Sequence, residues 1–393
     1  MRYINGQDLI PRELLDLLQD YVQGAYVYIP KREDTKRRWG EQTNYIMELK
    51  HRNKLIYQKY LEGVSTSNLI SIFHLSSSSI RRIILQERRT CDFMNNQIPQ
   101  ILTNWNISGE ISQIYSTAWD ISNQYVLKIY EDLGLLKRNI IMLHALHDSS
   151  IPVARIIPLS DGRDYLEYHE SYCILMDKLP GKNLVNISQK PAVLSYQMGT
   201  VLGRLHLGFQ RCEGRITFWN NSLLDELNGW IQESFLVNGW NYISREDFDD
   251  TVHTLSQLYD ELPKQLIHRD VHFGNFLFDQ GTFSGYIDFD LSQRNIRIFD
   301  IAYFLLGLLA DKEYNKLSDD SWLIIVQETI RGYEEYISLL DYEKSALPTV
   351  MKCIELLFVA YFTNERDPAR AKDAADIFNF VKTHTEMIRD HCK

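Results

Sequence analysis

Cysteine is scarce and unpatterned: five residues, Cys91, Cys173, Cys212, Cys353 and Cys392, are scattered through 393 positions. Their number is odd and no CxxC occurs. That argues against a disulfide framework or a zinc site and leaves free thiols as the expectation. Long hydrophobic runs are also missing, for no stretch of 18 or more uncharged apolar residues exists, so a membrane span is not expected. The opening MRYINGQDLIPRELLD lacks the apolar h-region of a secretory signal. A cytosolic protein with no membrane partner is the expectation.

With 45% hydrophobic residues, the chain is too apolar for disorder and long enough for two or three domains. The net charge of −10 is unevenly spread. Residues 1–90 carry 15 Lys and Arg against 10 Asp and Glu, whereas residues 91–393 carry 27 against 42. Two parts with different electrostatic tasks are suggested. In the basic part, the apolar spacing of DLIPRELLDLLQDYV predicts a helix over 8–22 and a further helix runs from about Ile46 to Tyr60. Helices at Ser67–Phe73 and Ser77–Gln86, joined by a turn, then make a helix-turn-helix. Its second helix presents Ser78, Ser79, Arg81 and Arg82 to phosphates and base edges, and turns Ile80, Ile83 and Ile84 to a core. Through GAYVYIPK and this helix pair, residues 5–88 resemble the Mor transcription-activator type of helix-turn-helix domain. Duplex DNA is the partner that the resemblance implies, with a homodimerisation module as the alternative.

After about residue 93 the pattern changes. ISQIYSTAW (111–119) and YVLKIY (125–130) read as antiparallel strands joined by DISNQ, residues 135–146 as a helix, VARIIPL and YCILM as further strands, and the remainder as mostly helical. The expectation is an α+β protein with a helix-turn-helix domain (1–90), a small five-stranded lobe (91–180) and a large, mostly helical lobe (181–393).

The stretch LIHRDVHFGNFLF, residues 266–278, sets five polar side chains between two apolar runs, which suits a polar loop between strands. Asp270 and Asn275 stand five apart in it. Asp288 follows thirteen residues later in YIDFD, at the end of another short apolar strand. Phosphoryl transfer needs one carboxylate to orient the attacking hydroxyl, and a carboxylate plus a neutral oxygen to hold Mg2+ on a triphosphate. A strand-loop-strand hairpin would deliver all three together.

Over residues 100–390 these motifs resemble the aminoglycoside phosphotransferase and choline kinase family, with its bilobal protein-kinase-like fold. The resemblance implies ATP as phosphoryl donor, Asp270 as catalytic base, Asn275 and Asp288 as Mg2+ ligands, and His268 as a residue that orients the loop. Asp300 in IFDIAYFL would bond the loop backbone. Lys128 in YVLKIY would hold the α- and β-phosphates. In YCILMDKLPG, Met176 would lie near the adenine, with the backbone of Asp177 and Leu179 hydrogen-bonding it. The turn over the phosphates would fall near Ser112–Tyr115, which lacks G-x-G-x-x-G. His272 is expected to make a loop-stabilising hydrogen bond, and His206, in LGRLHLGF, to be a core helix residue.

One departure stands out. The small-lobe helix of the family carries a Glu that pairs with the lysine, and Asn139 aligns with it here, which leaves a different register, a substitute such as Glu131, or weakened catalysis. Only eleven residues separate Asp288 from Asp300, too few for a peptide-holding activation segment, so a small-molecule hydroxyl acceptor is expected. The acidic balance of residues 91–393 suits a cation such as an aminoglycoside, a choline-like amine or an amino sugar. Trp219, Trp230, Trp240 and Tyr242 among Asp225, Glu226, Asp249 and Asp250 are candidates for its pocket, as is Asp290. The alternative function is a DNA-binding regulator whose kinase-like part senses a ligand with little catalysis.

Overall fold

The structure, a computed structural model, describes residues 97–393 apart from 116, 170, 184–189, 215–219 and 311–316, together with isolated positions between 53 and 84. All of them belong to one compact unit, Lys50–Lys393. The helix-turn-helix expectation lies almost wholly outside the described residues. Of its members that are described, Ile80, Ile83 and Ile84 are buried in a small apolar cluster with Ile56, Tyr57 and Leu69, and Arg81 is exposed.

A five-stranded antiparallel sheet, in the order β1-β2-β3-β5-β4, forms the small lobe: β1 (Ile111–Tyr115), β2 (Ala118–Ile121), β3 (Tyr125–Tyr130), β4 (Leu166–Tyr168) and β5 (Ser171–Asp177). The expected single strand over 111–119 is two strands. The chain folds back after Tyr115, with an irregular register between Gln113 and Tyr115. The β1–β2 turn, the expected place of a phosphate-covering turn, thus lies directly after Tyr115. VARIIPL forms only two isolated bridges, Val153 to Tyr286 and Ile156 to Met176, and the fifth strand is Leu166–Tyr168.

The period of two along a strand decides which face each side chain takes. Leu127 and Ile129 of β3 point into a core with Trp119, Ile121, Cys173 and Leu175, closed by Ile98, Ile101 and Trp105. Lys128, between them, therefore faces the other side. There lies helix α1 (Leu133–Asp148), started by the Asp132 carboxylate, which accepts from the Leu135 N–H at 3.0 Å. Its inward face carries Leu136, Ile140 and Leu143, and with them Asn139, only 4% exposed.

The large lobe contains α2 (Pro191–Glu213), α3 (Leu223–Glu226), α4 (Gln232–Asn238), α5 (Arg245–Leu258), α6 (Ile298–Ala310), α7 (Asp319–Glu334), α8 (Asp341–Asn364), α9 (Pro368–Thr383) and α10 (Thr385–His391). Short strands are set among them: β6 (Lys182–Asn183), β8 (Phe276–Asp279) and β9 (Thr282–Tyr286) form one sheet, and β7 (Lys264–Ile267) pairs with β10 (Gln293–Ile296). Helices α2 and α7 approach unusually closely because glycines face the contact. A Cβ at Gly199 would sit 2.0 Å from the Thr329 carbonyl oxygen, and one at Gly332 2.0 Å from that of Tyr196. Helix α8 is long and apolar enough to cross a membrane, but it is the packed centre of this lobe and two thirds of its apolar window is buried. Cys173, Cys212, Cys353 and Cys392 are buried and form no disulfide among the described residues, and burial pushes the thiols of Cys173, Cys353 and Cys392 up to about 12.

Candidate active site

The loop between β7 and β8 is shaped from beneath by Asp300, the fully buried carboxylate in the first turn of α6. Its Oδ2 accepts from the His268 N–H and its Oδ1 from the Arg269 N–H, both at 2.8 Å. Asp300 is held in turn by His206, whose Nε2 lies 3.0 Å from Oδ2 while its Nδ1 meets the Tyr333 hydroxyl at 2.8 Å. His206 is thus more than core filling. The glycine-permitted closeness of α2 and α7 brings it to Tyr333, where the phenol occupies Nδ1 and leaves an Nε2–H for the carboxylate.

Arg269 has φ +67°, a left-handed conformation that costs a non-glycine residue of order 1–3 kcal/mol. Its buried guanidinium is fixed by Glu226, at 2.8 and 3.1 Å, and by Gln293 at 2.8 Å. Glu226 is therefore a structural partner of the loop and not an acceptor-pocket acid. Trp240 stacks on Phe235 at 5.1 Å, Asp249 pairs with Arg245, and Trp230 and Tyr242 pack on the main core. Trp230, Trp240 and Tyr242 are thus partly buried against the core, and Trp219 lies outside the described residues.

Asp270 follows with three neighbours. The Tyr303 hydroxyl donates to Oδ1 at 3.1 Å, the Asn275 amide donates to Oδ2 at 3.1 Å and to the Asp270 carbonyl at 2.9 Å, and His272 Nε2 lies 3.4 Å from Oδ2. Burial alone would raise its pKa, but the hydrogen bond and charge of His272, with help from His268 and Tyr303, hold it well below the usual carboxylate range. Burial and the Asp270 charge keep Tyr303 protonated as a donor. His272 also accepts from the Gly274 N–H at 2.9 Å, the loop-stabilising bond expected of it. His268 reaches the Ile287 carbonyl at 3.2 Å, across to the next strand.

The β8–β9 hairpin brings the remaining two residues together. At its tip Gln280 and Gly281 have φ of +49° and +83°, the two left-handed residues that a tight hairpin of matching twist requires. Phe276 pairs with Tyr286, so Asn275 and Ile287 lie opposite, joined by a 3.0 Å bond from the Ile287 N–H to the Asn275 carbonyl. Asp288 comes next, itself left-handed at φ +62°. Its carboxyl is pulled down first by the Lys128 ammonium, against the opposing effects of burial and of the nearby Asp270 charge. Lys128 Nζ lies 3.1 Å from Asp288 Oδ1 and 2.8 Å from Asp290 Oδ2. Burial would lower its pKa, but these carboxylates raise it well above the ordinary value.

Asp290 is not turned to an open acceptor space. Asn139 bonds it at 2.6 Å and Tyr130 at 3.1 Å, so the Asn139 amide serves Asp290 and not Lys128. The segment after Asp288 closes at once, with β10 pairing on β7 before α6 begins.

At the lobe junction the Asp177 N–H is already given to the Arg155 carbonyl at 2.8 Å and is not available to an adenine. Only its carbonyl remains for that purpose. The Leu179 N–H has no partner among the described residues. Met176 is half-buried against the main core. Sequence reasoning missed Tyr303, which is three positions from Asp300 on α6 and shares its face.

For a divalent cation the donors fit. Asn275 spends its NH2 on Asp270, which leaves its Oδ1 free of bonds to the described residues, and Asp288 is exposed with one oxygen on Lys128. No cluster of three or more His, Cys, Asp or Glu that could hold a metal occurs among the described residues. Two oxygen donors completed by phosphates is the usual environment of Mg2+.

A two-lobed protein-kinase-like fold with an acid, amide, acid and lysine at its junction defines a phosphotransferase with a small hydroxyl-bearing acceptor. The chain belongs to the phosphotransferase enzyme family, which it matches over residues 107–343. It is 25% identical over 248 residues to a homoserine kinase of Zymomonas mobilis, covering 60% of this chain and 72% of that one. Over 84 residues it is 31% identical to the uncharacterized protein YraL of Bacillus subtilis, covering 21% of this chain and 97% of YraL. Two solved structures share the fold at a TM-score of 0.53, each over 74% of this chain and 96% of the other: a microcompartment-associated aminopropanol kinase at 16% identity and an aminoglycoside phosphotransferase of Alicyclobacillus acidocaldarius at 12%.

Proposed function

We propose that the protein moves the γ-phosphoryl group of ATP to a hydroxyl of a small, amine-bearing molecule, with Mg2+ as its metal. The observation that carries this reading is the meeting of Asp270, Asn275, Asp288 and Lys128, drawn from one loop, one hairpin and the opposite sheet. Asp270 orients the acceptor hydroxyl and takes its proton as the new O–P bond forms and ADP leaves. Lys128 holds the α- and β-phosphates; Met176, the Asp177 carbonyl and the Leu179 N–H receive the adenine. Asn275 Oδ1 and Asp288 would hold Mg2+, which when bound neutralises charge on the phosphates. The homoserine kinase relative adds a short amino-alcohol to the aminoglycosides, choline-like amines and amino sugars considered as acceptors.

We take the activity to be cytoplasmic, a reading that its proposed use of ATP favours, and we divide the chain into a basic segment (1–90), a nucleotide lobe (91–180) and a catalytic lobe (181–393). The charge excess of residues 1–90 favours one additional role, binding duplex DNA. Binding of the full chain to DNA that is lost as salt rises would support it, and no binding at low salt would remove it.

The kinase reading is tested by thermal unfolding with a non-hydrolysable ATP analogue. A rise in Tm that needs Mg2+ and disappears in Asp288→Ala is expected, followed by ATP-dependent phosphorylation of at least one member of an acceptor panel of homoserine, choline, amino sugars and aminoglycosides. No shift at millimolar nucleotide would reject it.

A further inference from the structure

Kinase-like folds fix the nucleotide lysine with a carboxylate from the small-lobe helix, and at that place this chain has Asn139. We propose that Asp290, delivered from the large lobe two residues beyond Asp288, is the positioning carboxylate of Lys128, and that Asn139 and Tyr130 are its anchors. The inference rests on the reading of Lys128 as the nucleotide lysine.

Both oxygens of Asp290 are committed. Oδ1 accepts from Asn139 Nδ2 at 2.6 Å and from the Tyr130 hydroxyl at 3.1 Å, and these bonds leave Oδ2 aimed at Lys128 Nζ, 2.8 Å away. Asn139 Nδ2 lies also 3.3 Å from the Tyr130 oxygen, so the two anchors support each other. Asn139 is 4% exposed on the packed face of α1, where its amide has no freedom to turn to water. Asp288 is the weaker candidate for the task. Its side chain is half exposed, at 50% against 28% for Asp290, and it contributes the oxygen proposed for the cation.

The chemistry of position 139 follows from this exchange. With the carboxylate coming from the other lobe, a glutamate on α1 would face Asp290 as a second negative charge, whereas an amide donates to it. Lys128, Tyr130 and Asn139 all belong to the small lobe, and all three converge on one large-lobe side chain. The other carboxylate on the lysine, that of Asp288, also comes from the large lobe, so the lysine is oriented by the joining of the two lobes.

The test is a titration of the full-length protein with Mg2+ and a fluorescent methylanthraniloyl derivative of ATP. Asp290→Asn, which keeps the shape and removes the charge, is expected to weaken binding about tenfold or more, the usual scale of a charge-assisted hydrogen bond. Asn139→Glu alone is expected to weaken it as well. The double variant Asn139→Glu/Asp290→Asn exchanges acid and amide across the contact and is expected to recover most of the affinity, a result that a merely structural role would not produce. In the Lys128→Ala background, Asp290→Asn is expected to cost little further. Binding within about twofold of wild type for Asp290→Asn while Lys128→Ala is impaired would overturn the inference, a change near the error of such cycles. So would independent, additive losses from Lys128→Ala and Asp290→Asn. If Lys128→Ala itself binds normally, the nucleotide-lysine reading fails first and the inference falls with it. Melting temperatures of each variant identify any that do not fold, and Asp290→Glu then replaces Asp290→Asn, with weakened binding expected and wild-type binding counting against the inference.

Discussion

Asp270 can act only if its carboxylate is charged and aimed, and its three neighbours meet those conditions with a phenol, an amide and an imidazole. Replacing it by Asn should reduce turnover by about 10²–10⁴-fold, the range of general acid–base catalysis, while nucleotide binding in the presence of Mg2+ is retained. Full turnover by Asp270→Asn would remove it from the chemistry. Tyr303→Phe deletes one donor to a carboxylate and should cost kcat about tenfold, within the range of hydrogen bonds to charged groups, with little change in nucleotide affinity. At this scale the sequence was legible where spacing carries the chemistry. Asp270, Asn275, Asp288 and Asp300 sit on a loop, a hairpin and a helix start whose offsets are local. The bonding of Asp290 to Lys128 and Asn139 was not legible, because the partners are 162 and 151 residues apart and a carboxylate two residues beyond Asp288 has no local pattern to declare its partner.

Elements show the same division. The small sheet and α1 follow from periodicity, but the fold-back that splits residues 111–119 into β1 and β2 gives no apolar-pattern signal, since both strands continue the same alternation. Contact between α2 and α7 was invisible for another reason: Gly199, Gly203 and Gly332, which face it, look like weak helix positions until their partner is known. Gly332→Ala would press a Cβ against the Tyr196 carbonyl, which is backbone and cannot swing away, and overpacking of this kind costs about 1–3 kcal/mol. The expected outcome is a lower Tm and, because Tyr333 adjoins, a loosened His206–Asp300 support. Helix α8 contributes a different prediction. Glu355 is 3% exposed and burial raises its pKa well above the ordinary value. The native state then holds a proton that the unfolded chain releases, so stability falls as pH rises above the unfolded value of about 4.3. Glu355→Gln should raise Tm at about pH 8 and leave it nearly unchanged at about pH 4, on the protonated side of that window. An equal shift at both would show that packing, and not the proton, sets the effect.

Across the whole molecule the charge is divided: residues 91–393 carry a formal excess of 15 negative charges, counting 27 Lys and Arg against 42 Asp and Glu. Part of that charge is already spent inside the fold, since Glu226, Glu343 and Asp300 are buried on Arg269, Arg297 and the loop backbone respectively. The exposed acidic residues form a field that attracts cations from a distance, which affects encounter more than bound-state contacts. An amine-bearing acceptor should therefore be captured faster at low ionic strength, where the Debye length is about 30 Å at 0.01 M, than at physiological 0.15 M, where it is about 8 Å. ATP is an anion and should be steered the other way. The prediction is that added salt lowers kcat/KM for a cationic acceptor while it leaves that for a neutral analogue of similar size unchanged and does not lower that for ATP. A cationic acceptor whose kcat/KM is insensitive to salt would mean that recognition lies in close contacts within the acceptor site, and that the acidic surface only keeps the protein dispersed.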